Sequence, residues 1–270
     1  MSKNLLLIAL CVSLLWADLP TATADNTATL DPRVEQLAEK ILIKVPEIKS
    51  TIPFLGSKEQ RIVMARKHAT AILAASDKYA DQWQGFAKQA GWQYFDAHRD
   101  LPALIAALTY RESAFRSVIR NDDNSTTTIV PARRMGEKKA YDSGVMQIRV
   151  PSANGRECGL QGRAGISRIL TDLTFAYDVG TCVFTNHIKE FVATYADVKV
   201  TRLKHGQRPD SELKFYGVMG DRKDSLEAQR ARELLVIERY NWGDSGLYQH
   251  KTGAGYARRI ISAYEFFRPG

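Results

Sequence analysis

Cysteine is scarce in this chain, with three residues among 270, and the five histidines are scattered. Cys11 falls in the apolar N-terminal run, which leaves Cys158 and Cys182 in the part that we expect to fold. Two cysteines without a neighbouring second pair do not make a zinc-binding pattern. We therefore expect no metal site and no cofactor.

Long apolar runs are also rare, and the one at the N-terminus is short. Lys3 precedes an apolar run from Leu5 to Trp16, and small residues follow at Ala22-Thr23-Ala24, the spacing that signal peptidase requires. The run is shorter than the roughly twenty residues needed to cross a bilayer. We predict a cleaved signal peptide at residues 1–24, with a permanent membrane anchor as the weaker alternative. This predicts a periplasmic protein, with secretion as the lesser possibility.

Export has a consequence for the two remaining cysteines. In an oxidising compartment such a pair is normally oxidised, so we predict a disulfide between Cys158 and Cys182. The alternative is two buried free thiols.

The charge is strongly basic, with 38 Lys and Arg against 30 Asp and Glu and a formal net charge of +8. A basic exported protein is drawn to anionic surfaces. The cations are interspersed with acids, and no ribonucleoprotein or recognition-helix motif is present, so nucleic acid is not expected as a partner. Cell-wall polymers and anionic headgroups fit an exported protein better.

Strand signals are sparse, and helical periodicity dominates. Only Ser125 to Pro131 is rich in β-branched residues, and its flanks are polar. We predict a mainly α fold with one small irregular or β segment. Apolar spacing predicts helices over Pro32 to Val45, Ser57 to Asp77, Tyr79 to Gly91, Pro102 to Arg116, Leu170 to Tyr195 (as a pair), Leu226 to Arg239 and Gly255 to Tyr264.

These patterns divide the chain after the signal into two parts. Residues 25–99 are predicted as an N-terminal helical extension, and residues 100–270 as the main domain. Within the main domain, Lys199 to Arg232 alternates in charge and contains several glycines, which indicates an exposed insertion. The extension and this insertion are the natural places for an envelope-machinery protein to dock, and a solvated linker is the alternative for the insertion.

One glutamate in the middle of the chain has the pattern of a catalytic acid. A hydrophobic helical stretch ends in TYRESAF, Thr109 to Phe115, and DSGVMQIR, Asp142 to Arg149, follows further on. A glutamate in an Ala-Leu-rich helix costs stability unless it is used or paired. Partial burial favours the protonated form of a glutamate, which can protonate a glycosidic oxygen. Glu112 is therefore the first candidate for catalysis of sugar cleavage.

Four short motifs occur in an order that resembles one protein family. The chain from about Asp100 to Tyr264 resembles the soluble lytic transglycosylase domain, and each motif alone is weak while the ordered set is specific. The motifs are Glu112-Ser113-x-Phe115, Gly144-Val145-Met146-Gln147, Tyr240-Asn241-Trp242-Gly243 and Tyr256-Ala257. The resemblance implies a lysozyme-like, mainly helical fold.

The resemblance also implies roles for individual residues. Glu112 would be the sole catalytic acid and base. Ser113, Met146 and Gln147 would lie along the cleft for N-acetyl sugars. Tyr240 and Asn241 would face the glutamate across that cleft, and Tyr256 would lie near it. Core packing is an equal alternative for Met146 and Tyr256.

The chain departs from the family pattern at a few positions. Trp242 replaces a customary alanine after Tyr-Asn, and Ala176-Tyr177 stands before Gly180 where the family commonly has Asn-Ile. These changes affect the expected substrate subsites and leave the expected fold as it is.

A single carboxylate favours a particular chemistry. Ordinary glycosidases use two carboxylates. With Glu112 alone, the 2-acetamido group of the substrate would act as nucleophile, and the resemblance implies a 1,6-anhydro product. A goose-type lysozyme-like hydrolase, with Asp122, Asp123 or Asp142 as second acid, is one alternative. A non-catalytic protein that binds peptidoglycan glycan strands is another.

Overall fold

The structure is a computed structural model that describes residues 31–45, 57–115, 119–120, 126–127, 129–131, 141–150, 153–195, 233–234 and 253–269. The elements from Pro32 onward belong to one compact unit, and they are mainly helical, as predicted. The helices are α1 (Pro32–Lys44), α2 (Lys58–Ala90), α3 (Ala97–Ser113), α4 (Ala153–Glu157), α5 (Gly162–Thr171), α6 (Leu173–Tyr195) and α7 (Gly253–Phe267). The strands are β1 (Ile119–Arg120), β2 (Thr126–Thr127), β3 (Ile129–Pro131), β4 (Tyr141–Ser143) and β5 (Ile148–Val150). The predicted signal peptide and the predicted insertion at 199–232 lie outside the described residues.

Helix α2 begins at a capping box formed by Ser57 and Gln60. The Ser57 hydroxyl accepts from the Gln60 backbone N–H (3.3 Å), and the Ser57 N–H donates to the Gln60 side chain (2.9 Å). The helix runs on to Ala90 as one element, whereas the sequence predicted two, because no glycine or proline interrupts it near Lys78. It ends at Gly91, which adopts the left-handed conformation with φ of +71°.

Helix α2 packs against α6, α1 and α3 and forms the centre of the core. Trp83 is fully buried at this junction, with its ring 4.9 Å from that of Phe184. The Trp83 Nε1–H donates to Thr185 Oγ1 (2.9 Å), so the one polar atom of the indole is satisfied. The segment that we predicted as an N-terminal extension therefore supplies a large part of the core around α3.

Helix α3 carries the candidate acid and is buried along most of its length. It starts at Ala97, five residues before the predicted start at Pro102, because Asp96 caps it by accepting from the His98 N–H (3.1 Å). Every residue from Leu101 to Thr109 is buried. The C-terminal helix α7 packs along α3 and contacts α1.

Two small antiparallel sheets lie between α3 and α4 in the chain. The first pairs β1 with β2, and the second has the order β3-β4-β5. In the second sheet Ser143 pairs with Ile148, so the four residues Gly144 to Gln147 form the hairpin loop. The sequence predicted strand structure around β2 and β3 only, because three-residue strands are too short to show an alternating pattern.

The predicted disulfide is confirmed. Cys158, directly after α4, is bonded to Cys182 in α6, with 5.7 Å between the two Cα atoms. Leu170 to Tyr195, which we predicted as a helix pair, consists of the end of α5 and the long helix α6. No helix among the described residues is both long and apolar enough to cross a membrane.

Candidate active site

Glu112 lies in the last turn of α3 and is partly exposed. The chain leaves the helix through two non-glycine residues with positive φ, Ala114 at +51° and Phe115 at +62°. This conformation is costly for residues with a Cβ and persists only where packing determines it. The Phe115 side chain is 1% exposed, with its ring 5.9 Å from that of Phe267 and 5.5 Å from that of His68. The buried ring therefore fixes the turn that follows Glu112.

Ser113 connects two of the motifs that the sequence predicted to share a site. Its hydroxyl is buried and donates to the Val145 carbonyl over 2.7 Å. The Thr109 carbonyl is further away, at 3.3 Å. The hairpin loop between β4 and β5 is thereby held directly against the turn that carries Glu112.

The hairpin loop is buried to an unusual degree for a loop. Gly144 has φ of +72°, and a Cβ built there would lie 3.1 Å from Ile169 Cγ1 and 3.2 Å from the Ile169 carbonyl oxygen. Only glycine fits both the conformation and the space. Gln147 has φ of +50°, and both its backbone N–H (3.1 Å) and its side-chain Nε2 (2.8 Å) donate to the Gly144 carbonyl. The loop is thus closed by its own last residue.

Met146 is fully buried and packs against α6. A Cβ built on Gly180 would lie 2.2 Å from the Met146 sulfur, so the absence of a side chain at Gly180 makes room for the thioether. Of the two roles that we considered for Met146, the structure supports packing beneath the loop. Contact of Met146 with a sugar stays a prediction.

A buried polar network that the sequence did not predict lies behind Phe115. His68 in α2 and Tyr177 in α6 are both buried, and His68 Nδ1 is 2.8 Å from the Tyr177 hydroxyl. Thr109 of α3 is also buried, and its hydroxyl donates to the Ile105 carbonyl (2.8 Å). Burial lowers the pKa of His68 to about 3 and raises the pKa of Tyr177. His68 is therefore neutral at physiological pH, and it contacts the Glu112 turn through Phe115.

The sequence offered only a weak signal for this network. His68 falls within the apolar stripe of α2, and Tyr177 is one of the departures from the family pattern. A polar residue in a buried stripe needs a partner. The partner is 109 positions away, so sequence spacing did not identify it.

Other predicted site residues are described only in part. Tyr240 and Asn241 lie outside the described residues, as do Asp122 and Asp123. Tyr256 belongs to α7, and its side chain is not described.

Asp142, a candidate second acid for hydrolysis, lies in a strand that the sequence did not predict. It is the middle residue of β4, paired with Val130 in β3 and Arg149 in β5. The strand was missed because its three residues show no alternation. Its side chain is not described.

A metal centre is not evident in the described part of the chain, where no three His, Cys, Asp or Glu side chains are grouped closely enough to hold an ion. Comparison with protein-family models, curated proteins and solved structures gave no match. The four motifs, and the contacts that join the first two of them, are therefore the features that point to a function.

Proposed function

We propose that this protein is a peptidoglycan lytic transglycosylase that cleaves the β-1,4 bond between N-acetylmuramic acid and N-acetylglucosamine. The observation that supports it most is the 2.7 Å hydrogen bond from Ser113 to the Val145 carbonyl, because it joins the Glu-Ser-x-Phe turn to the Gly-Val-Met-Gln loop. Two motifs that are distant in sequence and resemble those of one enzyme family are thus in direct contact. The disulfide supports the proposed periplasmic location, since it needs an oxidising compartment.

The proposed reaction needs one carboxyl group. The acetamido oxygen of the muramoyl residue attacks its own anomeric carbon while Glu112 donates a proton to the departing O4 of N-acetylglucosamine. The Glu112 carboxylate then takes the proton from the muramoyl 6-hydroxyl. The O6 atom bonds to the anomeric carbon and displaces the acetamido oxygen, which yields a 1,6-anhydro ring without consuming water.

The fully buried carboxylate in the same helix is unsuited to a two-carboxylate mechanism. Asp100 lies twelve residues before Glu112, which at about 1.5 Å per residue places its backbone roughly 18 Å away. Two-carboxylate glycosidases hold their acids about 5–10 Å apart. Asp100 also accepts hydrogen bonds from Arg99 (2.8 Å) and Arg268 (2.8 Å), so it is committed to a structural role.

Hydrolysis is the second candidate, because Asp142 lies only three residues before Val145, which contacts Ser113. If Asp142 orients a water molecule, the protein is a goose-type lysozyme-like hydrolase. Asp142→Asn would then abolish activity without lowering the melting temperature. A transglycosylase would retain activity in this variant.

The experiment compares the purified protein with Glu112→Gln on isolated peptidoglycan and analyses the released muropeptides by mass spectrometry. We expect products one water lighter than hydrolysis products, and a loss of about 10²-fold to 10⁴-fold in Glu112→Gln with an unchanged melting temperature. Glu157→Gln, which changes an exposed glutamate in α4, is the matched control and should retain full activity. Ordinary reducing-end products would show a hydrolase. Glycan binding without release by the wild-type protein would favour a non-catalytic peptidoglycan-binding protein.

A further inference from the structure

A cleft of about 750 Å³ opens between the first half of α2 and the junction of α5 with α6. Helix α2 contributes Val63, Lys67 and Thr70, which are four and three positions apart and therefore share one helix face. The opposite wall is formed by residues 170–174. Phe115, which fixes the Glu112 turn, also belongs to the lining. The volume is within the range of sites that bind small ligands.

The lining of this cleft is suited to amide groups and small aliphatic groups. Thr70, Thr171 and Thr174 are exposed residues on both walls. The Thr171 hydroxyl donates to the Ser167 carbonyl (3.1 Å), so toward a ligand it acts as an acceptor for an amide N–H. Val63 is 48% exposed, which leaves an aliphatic surface on the same face. Sugars are commonly held on exposed aromatic rings, but among the described residues that line the cleft the only aromatic carbocycle is Phe115, which is 1% exposed. The chemistry therefore indicates a peptide rather than a saccharide.

Among the described residues that line the cleft, the charged side chains other than Lys67 already have ion-pair partners. Arg66 donates to Glu35 (2.9 Å), and Asp172 accepts from Arg168 (3.0 Å). Lys67 is exposed and has no ion-pair partner among the residues that the structure describes. A single ammonium group suits a carboxylate, whereas a phosphate polymer requires a row of cations.

We propose that this cleft binds the acidic peptide that peptidoglycan carries on the lactyl group of muramic acid. The inference depends on the proposed function, because only a muramoyl substrate at Glu112 would bring that peptide to the neighbouring cleft. Lys67 binds a peptide carboxylate, the threonine hydroxyls bind its amide groups, and Val63 contacts its alanine methyl groups. The enzyme then cleaves peptide-bearing glycan faster than glycan from which the peptides have been removed.

The test measures binding of a free stem peptide, L-Ala-γ-D-Glu-diaminopimelate-D-Ala, to the purified protein by calorimetry. We expect Lys67→Glu to weaken binding about tenfold or more, since it removes a charge-assisted hydrogen bond and introduces repulsion. Lys88→Glu is the matched control, because Lys88 is an exposed lysine of the same helix that does not line the cleft. A peptide amidated at its carboxylates should lose the same affinity. Equal binding of the peptide to wild type and Lys67→Glu, or no binding to either, would overturn the inference.

A second measurement separates this inference from the proposed function. Turnover is compared on intact peptidoglycan and on glycan stripped with an amidase, for wild type and Lys67→Glu. We expect Lys67→Glu to slow only the intact substrate. Release of 1,6-anhydro products at rates that do not depend on the peptide would support the transglycosylase and reject the peptide site. Calorimetry needs no turnover, so it decides the peptide site even if neither substrate is cleaved.

Discussion

The two ends of helix α3 are built differently. At its start, Asp100 is fully buried and is surrounded by donors, with bonds from Arg99, Arg268 and the Asp96 N–H (each 2.8 Å). At its end, Glu112 is partly exposed and is followed by Ala114 and Phe115 in the left-handed conformation. One carboxylate is thus enclosed by partners, and the other lies on a strained turn at the surface.

If Glu112 has the proposed catalytic role, stability and chemistry lie at opposite ends of this one helix. The buried ion pairs at Asp100 tie α3 to the C-terminal end of the chain, where Lys40 of α1 also donates to the carbonyls of Phe267 and Arg268. The strain at the other end is tolerated because the Ser113 bond and the Phe115 packing hold it. Functional turns are commonly strained in this way, and the rest of the fold compensates.

The largest expected effect is at the Asp100 end of α3, which the ion pairs with Arg99 and Arg268 anchor. Asp100→Ala removes the buried acceptor of both guanidinium groups and should lower the free energy of unfolding by about 3 kcal/mol, because Arg99 and Arg268 stay partly hydrated. Asp178→Ala is the control, because Asp178 accepts from Lys78 in a surface ion pair (2.6 Å) that should contribute at most about 1 kcal/mol. Urea denaturation at neutral pH measures both. Equal losses in the two variants would contradict the proposed difference.

Acid should weaken the Glu112 end before it weakens the anchored end. His68 has an ordinary pKa near 6.5 when unfolded and about 3 when folded, so between these pH values only the unfolded chain takes up the proton. Its contribution to stability is complete above about pH 6.5 and falls with acidification by at most about 1.4 kcal/mol per pH unit.

The contribution of Asp100 to stability is lost only at more acidic pH. Burial alone would raise its pKa, but the bonds from Arg99, Asp96 and Arg268 outweigh burial and lower it. Its contribution is present above about pH 4 and is lost only as the pH falls through the lowered value. The free energy of unfolding, measured from pH 7 to pH 4 for wild type and His68→Asn, tests whether His68 causes the early loss of stability. We expect a smaller loss in His68→Asn than in wild type. An equal loss in the two proteins would show that His68 is not the titrating group.

A smaller effect is expected at the contact between the two motifs. Ser113→Ala removes the donor to the buried Val145 carbonyl and should cost about 1–3 kcal/mol. Turnover should fall as well, because the hairpin loop is no longer held against the Glu112 turn. Ser76→Ala is a fitting control, since the buried Ser76 hydroxyl makes no hydrogen bond in the described structure and its loss should be nearly neutral. If both variants have wild-type stability and activity, the contact does not organise the site.

The smallest effect concerns the strain itself. Ala114→Gly relieves the left-handed conformation and should raise the free energy of unfolding by about 0.5 kcal/mol, the relief being partly offset by the entropy of glycine. The same change at Ala74, an exposed position within α2, should lower stability by about 1 kcal/mol. Thermal melts of the two variants should therefore shift in opposite directions. A destabilising Ala114→Gly would show that the turn is not strained.

Much of the local structure could be predicted from the sequence. Helix periodicity and the Ser57 capping box were predictable because they depend on residues close in sequence. The disulfide pairing was predictable because the chain has so few cysteines. The strands β4 and β5 were not, because their alternation is too short to detect. The left-handed residues Ala114 and Phe115 were not either, since nothing in their identity favours a positive φ.

The sequence by itself determined the helical class, the one cysteine pair and the ordered motifs around Glu112, because these follow from local propensity, composition and spacing. Only the tertiary structure decided that Ser113 bonds to Val145, that Met146 fits against Gly180, and that His68 meets Tyr177 across 109 positions. Such contacts join groups whose separation along the chain carries no periodic signal. They form because a buried donor needs an acceptor and a close-packed interior leaves few positions for each side chain.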